Sequence, residues 1–353
     1  MAFKTAAGYG NLPNGNFSPV IYSKKVQSAF RKTSVIEDIT NSDYFGEIAN
    51  FGDTVRIIKE PEITVQEYAR GTQVTPQDLD DEDFTLVVDK ANYFAFKIDD
   101  IEEAHSHVNF ESMASDRAGY RLKDQFDQEV LGYLSGFKQS ALSTVADTAN
   151  DVKSGTDPVA AGSDGLLSSM ELTHGDFASG GTAANSIAMS ASNASAVATP
   201  LAILNRMSRL LDQQNVDRDG RWVVVDPVFA EELNDENSKL LNNDFAGGQN
   251  AGDLLRNGRV ISGLIRGFRV YMSNNLPSIG TGSSTIATAG SQTNFGVVVA
   301  GHDSAVATAS QVEKVETYRD NDSFADIVRG MHLYGRKILR PEALVRAKYN
   351  LYS

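Results

Sequence analysis

Val55 and Ile57, then Ile63 and Val65, alternate with polar residues, the two-residue period of a half-buried strand. Pro61 between them predicts a kink or an edge position, because proline donates no ladder hydrogen bond. A second alternating run holds Phe84, Leu86 and Val88 and, after Asp89-Lys90-Ala91-Asn92, continues with Phe94, Phe96 and Ile98. The stretch between the runs, GTQVTPQDLDDED, carries Gly71, Pro76 and five acids in the six positions 78–83. Two strands around a charged, turn-rich tip predict a long hairpin over 50–98. A lone hairpin is marginal in water, so one this long is expected to lie on another surface.

From Asn109 the period changes. Phe110, Met113, Ala114, Ala118, Leu122, Phe126, Val130, Tyr133, Leu134 and Phe137 recur at three- and four-residue steps, and Arg117, Arg121, Lys123, Asp124, Asp127 and Glu129 form the opposite, charged face. The predicted helix, 109–137, is a spine about 38 Å long for about 25 residues at about 1.5 Å each. Residues 141–196 turn to Ala, Gly, Ser, Thr and Asp, which predicts irregular structure with one short helix. Thr199-Pro200 then opens a helix with a capping hydroxyl and proline at its first position, and Ile203, Leu204, Met207, Leu210 and Leu211 make its apolar stripe.

Further on, a buried strand at Trp222–Val225 leads into a short helix after Pro227. NGRVISGLIRGFRVYMSNNLP predicts two strands across Gly267, and 278–293 a flexible polar loop. NFGVVVAGH is another buried strand, SAVATAS a helix after it, and 322–329 a second short helix. MHLYGRKILRPEALVRAKY gives two short strands broken at Pro341. No internal repeat appears.

At 353 residues the chain exceeds one comfortable core, so two lobes, or one with long excursions, are expected. With 41% hydrophobic residues it is globular rather than disordered, and it has no run of eighteen apolar residues for a membrane span. Residues 1–35, rich in Gly, Asn and Pro, lack the apolar core of a signal peptide and read as an arm. Zero cysteines exclude disulfides and thiolate metal sites. The net charge of −14 argues against a protein that coats nucleic acid. Its distribution is uneven. Before Glu37 the charges are Lys4, Lys24, Lys25, Arg31 and Lys32; ten acids lie between Pro76 and Glu103; and Arg329, Arg336, Lys337, Arg340, Arg346 and Lys348 crowd the C-terminal end. This pattern predicts an acidic middle that meets basic ends, its own or a neighbour's.

Chemical candidates are few. DDIEEAHSH places Asp99, Asp100, Glu103, His105 and His107 together, a ligand set for a metal-dependent hydrolase if a third ligand were fixed elsewhere. Metal-binding pairs usually sit on helices at i, i+4 or on rigid strands, and acids just ahead of a helix N-terminus are favoured by its dipole, so a structural role weighs more. There is no GxxxxGK[ST], GxSxG or HExxH. His302-Asp303-Ser304 are sequence neighbours, which is not triad geometry. The DRDG at 217–220 lacks the downstream Glu of a calcium loop and reads as a tight turn.

ANYFAFKIDDIEEAH (91–105) followed by the long helix, GRWVVVDPVFAEEL (220–233), GFRVYMSNNLP (267–277) and FGVVVAGHDSAVATA (295–309) resemble, in order and character, the major capsid proteins of tailed bacteriophages. The resemblance implies an α+β fold of the Hong-Kong-97 type. Its parts would be an N-terminal arm (1–35), an extended hairpin loop (50–98), a peripheral domain (36–49, 99–140, 311–353) with the spine helix, a variable insertion (141–196) and an axial domain (197–310). It implies no enzyme and no cofactor, but a shell subunit partnered with itself in hexamers and pentamers. A separate scaffolding protein, a portal, decoration proteins and loosely held DNA are the further implied partners, with no membrane. The place implied is the virion capsid, assembled in the bacterial cytoplasm. The same fold also serves encapsulin-type compartments, the alternative within it. Across neighbouring subunits the expected contacts are Asp78, Asp80, Asp81, Glu82 and Asp83 of the hairpin tip with Arg336, Lys337, Arg340, Lys24 and Lys25.

Overall fold

Alternation, proline breaks and helix caps sort the chain into strands and helices, and hydrogen-bond registry then sorts the strands into three sheets. The computed structural model describes residues 34–41, 54–58, 63, 65–71, 73, 76, 83–99, 110–135, 167–177, 187–191, 196–234, 264–276, 278–279, 295–321 and 323–351. Strands β1 (Thr54–Ile58) and β2 (Asp83–Val87) pair antiparallel, with Thr54 opposite Val87 and Ile58 opposite Asp83, as the hairpin reading requires. Ile63 and Val65 belong to no strand and stand exposed, which corrects the expectation that the strand continues through them. After a break at Val88-Asp89 the chain runs on as β3 (Lys90–Asp99), which changes partners and pairs with β11 (Ala325–Ile338). With β10 (Val306–Arg319), β11 and β3 form a three-stranded antiparallel sheet in the order β10-β11-β3.

Strands β10 and β11 correct two further expectations, since SAVATAS and 322–329 both had the composition of short helices, and β11 begins at Ala325. Alanine is the best helix former, but Val306 and Thr308 are β-branched, and pairing from Val306–Ile338 to Arg319–Asp326, with one register shift between Ser310 and Val312, outweighs local preference. The predicted spine helix is present as α2 (Phe110–Ser135). Helix α1 (Ile36–Ile39) precedes the hairpin in the chain, and Lys123 of α2 pairs with its Glu37 at 2.8 Å.

The larger, seven-stranded sheet runs β4-β12-β9-β6-β7, with β5 added beside β12 and β8 beside β9. Its strands are β4 (Glu171–Leu172), β5 (Ile187–Met189), β6 (Arg221–Val225), β7 (Arg269–Met272), β8 (Ser278–Ile279), β9 (Phe295–His302) and β12 (Leu344–Leu351). The expected break at Pro341 is a 3-10 turn, Pro341–Ala343, between β11 and β12. Strand β12, grouped with the spine helix in the sequence reading, lies in this sheet against β9. The Ala/Gly/Ser-rich stretch also does more than expected. Its described parts hold two single-turn 3-10 helices and two strands that pair parallel with β12, and Met170, Leu172, Ile187 and Met189 are buried. Of the two strands predicted across Gly267 the second is β7, and residues 257–263 lie outside the described residues.

Helix α3 (Pro200–Gln213) starts as predicted, with the Thr199 hydroxyl accepting from the Ala202 amide. Helix α4 (Pro227–Leu233) is capped by Asp226, whose Oδ1 accepts from the Phe229 amide. The same oxygen receives the buried Tyr349 hydroxyl from β12 in a very short bond. Burial raises the Asp226 pKa, and these two hydrogen bonds oppose the rise. A carboxyl raised in this way favours the fold most below its unfolded pKa, and that stability is lost as pH climbs through the folded value. Asp226→Asn keeps an acceptor and sheds the buried charge. It is therefore expected to melt at or above the wild-type temperature at pH 8, with the advantage shrinking toward pH 4. Asp226→Ala, which strands the Tyr349 hydroxyl and removes the cap, is expected to lose about 2–3 kcal/mol. Thermal melts of the three proteins across pH measure both effects; an Asn variant less stable than wild type at pH 8 contradicts this assignment.

Candidate assembly surfaces

Strand β11 puts its even-numbered residues toward α2 and its odd-numbered ones away from it. His332 and Tyr334 meet Phe126 edge-on, at 5.5 and 4.9 Å between ring centroids. Arg336 Nη1 donates to both the Glu129 carbonyl and its Oε2, each at 3.0 Å, and the guanidinium lies 4.9 Å over the Tyr133 ring. Burial, with Glu129 adding to it, pushes the Tyr334 phenol well above its ordinary range, and Asn92 donates to its oxygen at 3.1 Å. Arg336 is thus committed inside the subunit. Its expected contact with a neighbour's hairpin tip would compete with these bonds to a helix carboxylate and with the ring beneath the guanidinium. Lys337 is half-buried on the other face, and Arg340 is exposed beside the Pro341 turn.

Asp78, Asp80, Asp81, Glu82, Lys24 and Lys25 lie outside the described residues, and of Asp83 the structure gives the backbone, paired with Ile58. Within the acid/histidine cluster, Asp99 ends β3 opposite Ala325, while Asp100, Glu103, His105 and His107 lie outside the described residues. Among the described residues no group of three or more His, Asp or Glu side chains is arranged to hold a metal ion. No helix among them is long and apolar enough to cross a membrane.

His302 works as a strand-end clamp. Its Nε2 meets the Asp219 carbonyl at 2.8 Å, and its Nδ1 meets the Ser304 hydroxyl at 2.9 Å and accepts from the Ser304 amide at 3.2 Å. Asp303 pairs with Arg269 at 2.5 Å rather than with His302. The DRDG turn behaves as read: the Asp219 amide donates to Asp217 Oδ1, and Gly220 takes a positive φ of 83°. A side chain at Gly220 would also press on His302 and Asp303, each 3.1 Å from the Cβ position.

Two residues that the sequence placed on a solvated face turn out to hold the subunit together. Asp127 Oδ1 accepts from the Ser34 hydroxyl and the Val35 and Ile36 amides at 3.0, 3.0 and 3.2 Å, which caps α1 from across the chain. Its Oδ2 accepts from Asn275 Nδ2 at 2.9 Å, and the same amide nitrogen donates to Asp124 Oδ1 at 3.0 Å. Gln128 donates to Asp124 Oδ2 at 3.2 Å. Residues 34–36 are therefore held by a carboxylate of α2 that is itself bonded to an amide of the turn after β7. The described segment 34–41 is further stitched to β10: the Asn41 amide donates to the Val306 carbonyl at 2.8 Å, the Asn41 carbonyl accepts from the Thr308 amide at 3.1 Å, and the Thr40 and Thr308 hydroxyls share a bond at 3.0 Å. At the far end of α2, Arg346 donates to the Ser135 carbonyl at 2.9 Å and to Glu171 at 3.0 Å, a cation at a helix C-terminus.

The hairpin base has its own anchorage. Leu86 and Val88 pack with Ala307, Ala309 and Leu339 in a small core separate from the main one, flanked by Val55, Ile57 and Leu333. Gly335 of β11 lies directly beneath it. A Cβ there would stand 2.4 Å from the Val87 carbonyl oxygen, so the crossing requires glycine. Gly330 plays a similar part on the other face, where a Cβ would stand 2.4 Å from the Phe94 ring.

Comparisons with known proteins agree with this architecture. No curated protein matches the chain. A structure from Mycobacterium phage Che8 is 26% identical, with a TM-score of 0.65, 94% of this chain covered and 97% of the other. The capsid structure of the cyanophage P-SCSP1u is 21% identical with a TM-score of 0.63, over 95% of this chain and 93% of that one. The capsid of Ralstonia phage GP4 is 13% identical with a TM-score of 0.64, over 99% and 98%. The last two, at such identity, speak to the fold alone. The family model described as phage capsid protein matches residues 59–347, from just after β1 to within β12, which takes in α2 and the three-stranded sheet. The chain belongs to the phage capsid protein family.

Proposed function

We propose that the chain is the major capsid protein of a tailed phage, a structural subunit that assembles into the icosahedral head around the double-stranded DNA genome. The observation that carries this reading is the family match over 59–347 together with a fold shared with phage capsid structures along nearly the whole chain. A subunit of a closed shell touches several copies of itself through repeated modest contacts, and closure multiplies them. The hairpin, with its own small anchoring core, suits such an excursion.

In this reading the hairpin is the extended loop, and α2 with the three-stranded sheet forms the peripheral domain. The seven-stranded sheet with α3 and α4 forms the axial domain, joined by strands from 141–196. The partners are further copies in hexamers and pentamers, a separate scaffolding protein, a portal and decoration proteins. DNA is held loosely, because a net charge of −14 does not trap a polyanion. Assembly takes place in the host cytoplasm and the product is the virion capsid.

Co-expression with a scaffolding gene from the same genome, followed by sedimentation, tests the reading: fast-sedimenting particles are expected, and a single small species under every condition overturns it. A contact between Arg336 and the acidic tip competes with the Glu129 bond, and Lys337, Arg340 and the arm lysines are the tip's other proposed partners. Reversing the charges at Asp80, Asp81, Glu82 and Asp83 is expected to lower particle yield and particle melting temperature, more so at low salt. Unchanged yield and melting at low salt would remove the tip from the assembly contacts.

A further inference from the structure

Two carboxylates of α2 are buried side by side. Asp127 is 0% exposed and Asp124 4%. Among the described residues the partners of Asp127 are all uncharged: the Ser34 hydroxyl, the Val35 and Ile36 amides and the Asn275 carboxamide. Asp124 is reached by the Arg121 guanidinium at 3.3 Å, from a side chain that stays more than half exposed. Charges buried this deeply are as a rule paired in full or bound to a metal ion.

The groups around the two carboxylates are those that a hard cation takes. Asn275, itself buried, places its Nδ2 between Asp124 Oδ1 at 3.0 Å and Asp127 Oδ2 at 2.9 Å. An NH2 group that donates to two oxygens holds them about 5 Å apart, which is the span across a calcium ion with ligands at about 2.3–2.6 Å. Gln128 closes the cluster, its Nε2 donating to Asp124 Oδ2 at 3.2 Å and to Asn275 Oδ1 at 3.3 Å. The other end of that carboxamide, Oε1, is buried in a residue only 7% exposed and receives no hydrogen bond from the described residues. A buried acceptor left without a donor is costly, and a cation satisfies it as well as a donor does.

We propose that this cluster is a calcium site. The ion displaces Asn275 Nδ2 from between the carboxylates, binds Asp124 and Asp127, and takes the amide oxygens of Asn275 and Gln128 as neutral ligands. Two carboxylates and two carboxamides make the set, in place of three acid or histidine side chains. The carboxylates balance the charge of the ion, which uncharged donors alone do not. Calcium suits the cluster better than magnesium, because magnesium keeps several waters in a strict octahedron and these side chains are packed away from water. Asp127 also caps α1, so the ion fastens α1, α2 and the turn after β7 to one another.

All the ligands belong to one chain, so the test needs no particle and its failure leaves the shell reading untouched. Wild-type protein stripped with chelator and returned to millimolar calcium is expected to melt about 3–6 °C higher than in millimolar magnesium. Equilibrium dialysis against calcium with magnesium in excess should find one calcium bound per chain. Asn275→Asp adds a third carboxylate: it should melt below wild type in chelator and gain more than wild type from calcium. Gln128→Met, close in size but without the amide, should gain less. A wild type that does not distinguish calcium from magnesium, an Asn275→Asp loss that calcium fails to restore, or a full wild-type gain in Gln128→Met overturns the site. Where a variant fails to fold, the wild-type dialysis decides, and calcium that is absent or displaced by magnesium overturns it.

Discussion

Gly335→Val is expected to abolish particle formation while leaving a folded, soluble subunit. The Cβ position at 335 lies 2.4 Å from the Val87 carbonyl oxygen, and that oxygen belongs to backbone, so no side-chain rotation relieves the clash. Either β11 or the hairpin base must move. Strand β11 is held along its length by β10 and β3, whereas the hairpin base is held by a handful of residues around Leu86 and Val88. The hairpin therefore yields. Overpacking of this kind costs about 1–3 kcal/mol in subunit stability, a modest loss for a chain with a separate large core. The larger consequence is directional, since tilting the base swings everything beyond it. Gly335→Ala should lower yield with a smaller change in melting temperature. Wild-type yield from Gly335→Val would show that the hairpin direction is not set at this crossing.

Asp127→Ala is expected to cost more in stability, about 3–5 kcal/mol, because four donors lose their acceptor and at least two are buried amides. The melting temperature should fall by about 5–10 °C. Asp127→Asn should fall between the two, since its amide can still accept at one atom but sets a donor against Asn275. Asn275→Ala, combined with Asp127→Ala, should cost less than the sum of the single changes, because both remove the same bond. Thermal unfolding of the four proteins reads this directly. Strict additivity would mean that the two residues act separately.

These two positions also mark what the sequence could not disclose. The spine helix, the Thr199 cap, the short helix after Pro227 and the break at Pro341 follow from short-range rules, and each is present as read. Asp124 and Asp127 looked like part of a solvated stripe, because periodicity assigns charged residues to water. The C-terminal half of α2 is buried on more than one face, against β11 on one side and α1 with the 273–276 turn on another, and that width depends on partners about ninety and one hundred and fifty positions away. The ties of Arg336 to Glu129 and Tyr133 were hidden for the same reason, because nothing near position 336 says which helix its strand will meet.

SAVATAS and 322–329 show local preference losing to registry. Ile63 and Val65 show the opposite limit. Their alternation promised a buried side, and among the described residues none is supplied.

The central claim is that this chain is a shell subunit, and cryo-electron microscopy of the purified protein, expressed with and without a scaffolding gene, tests it most directly. The account predicts closed icosahedral shells. Uniform small oligomers in every preparation would contradict it.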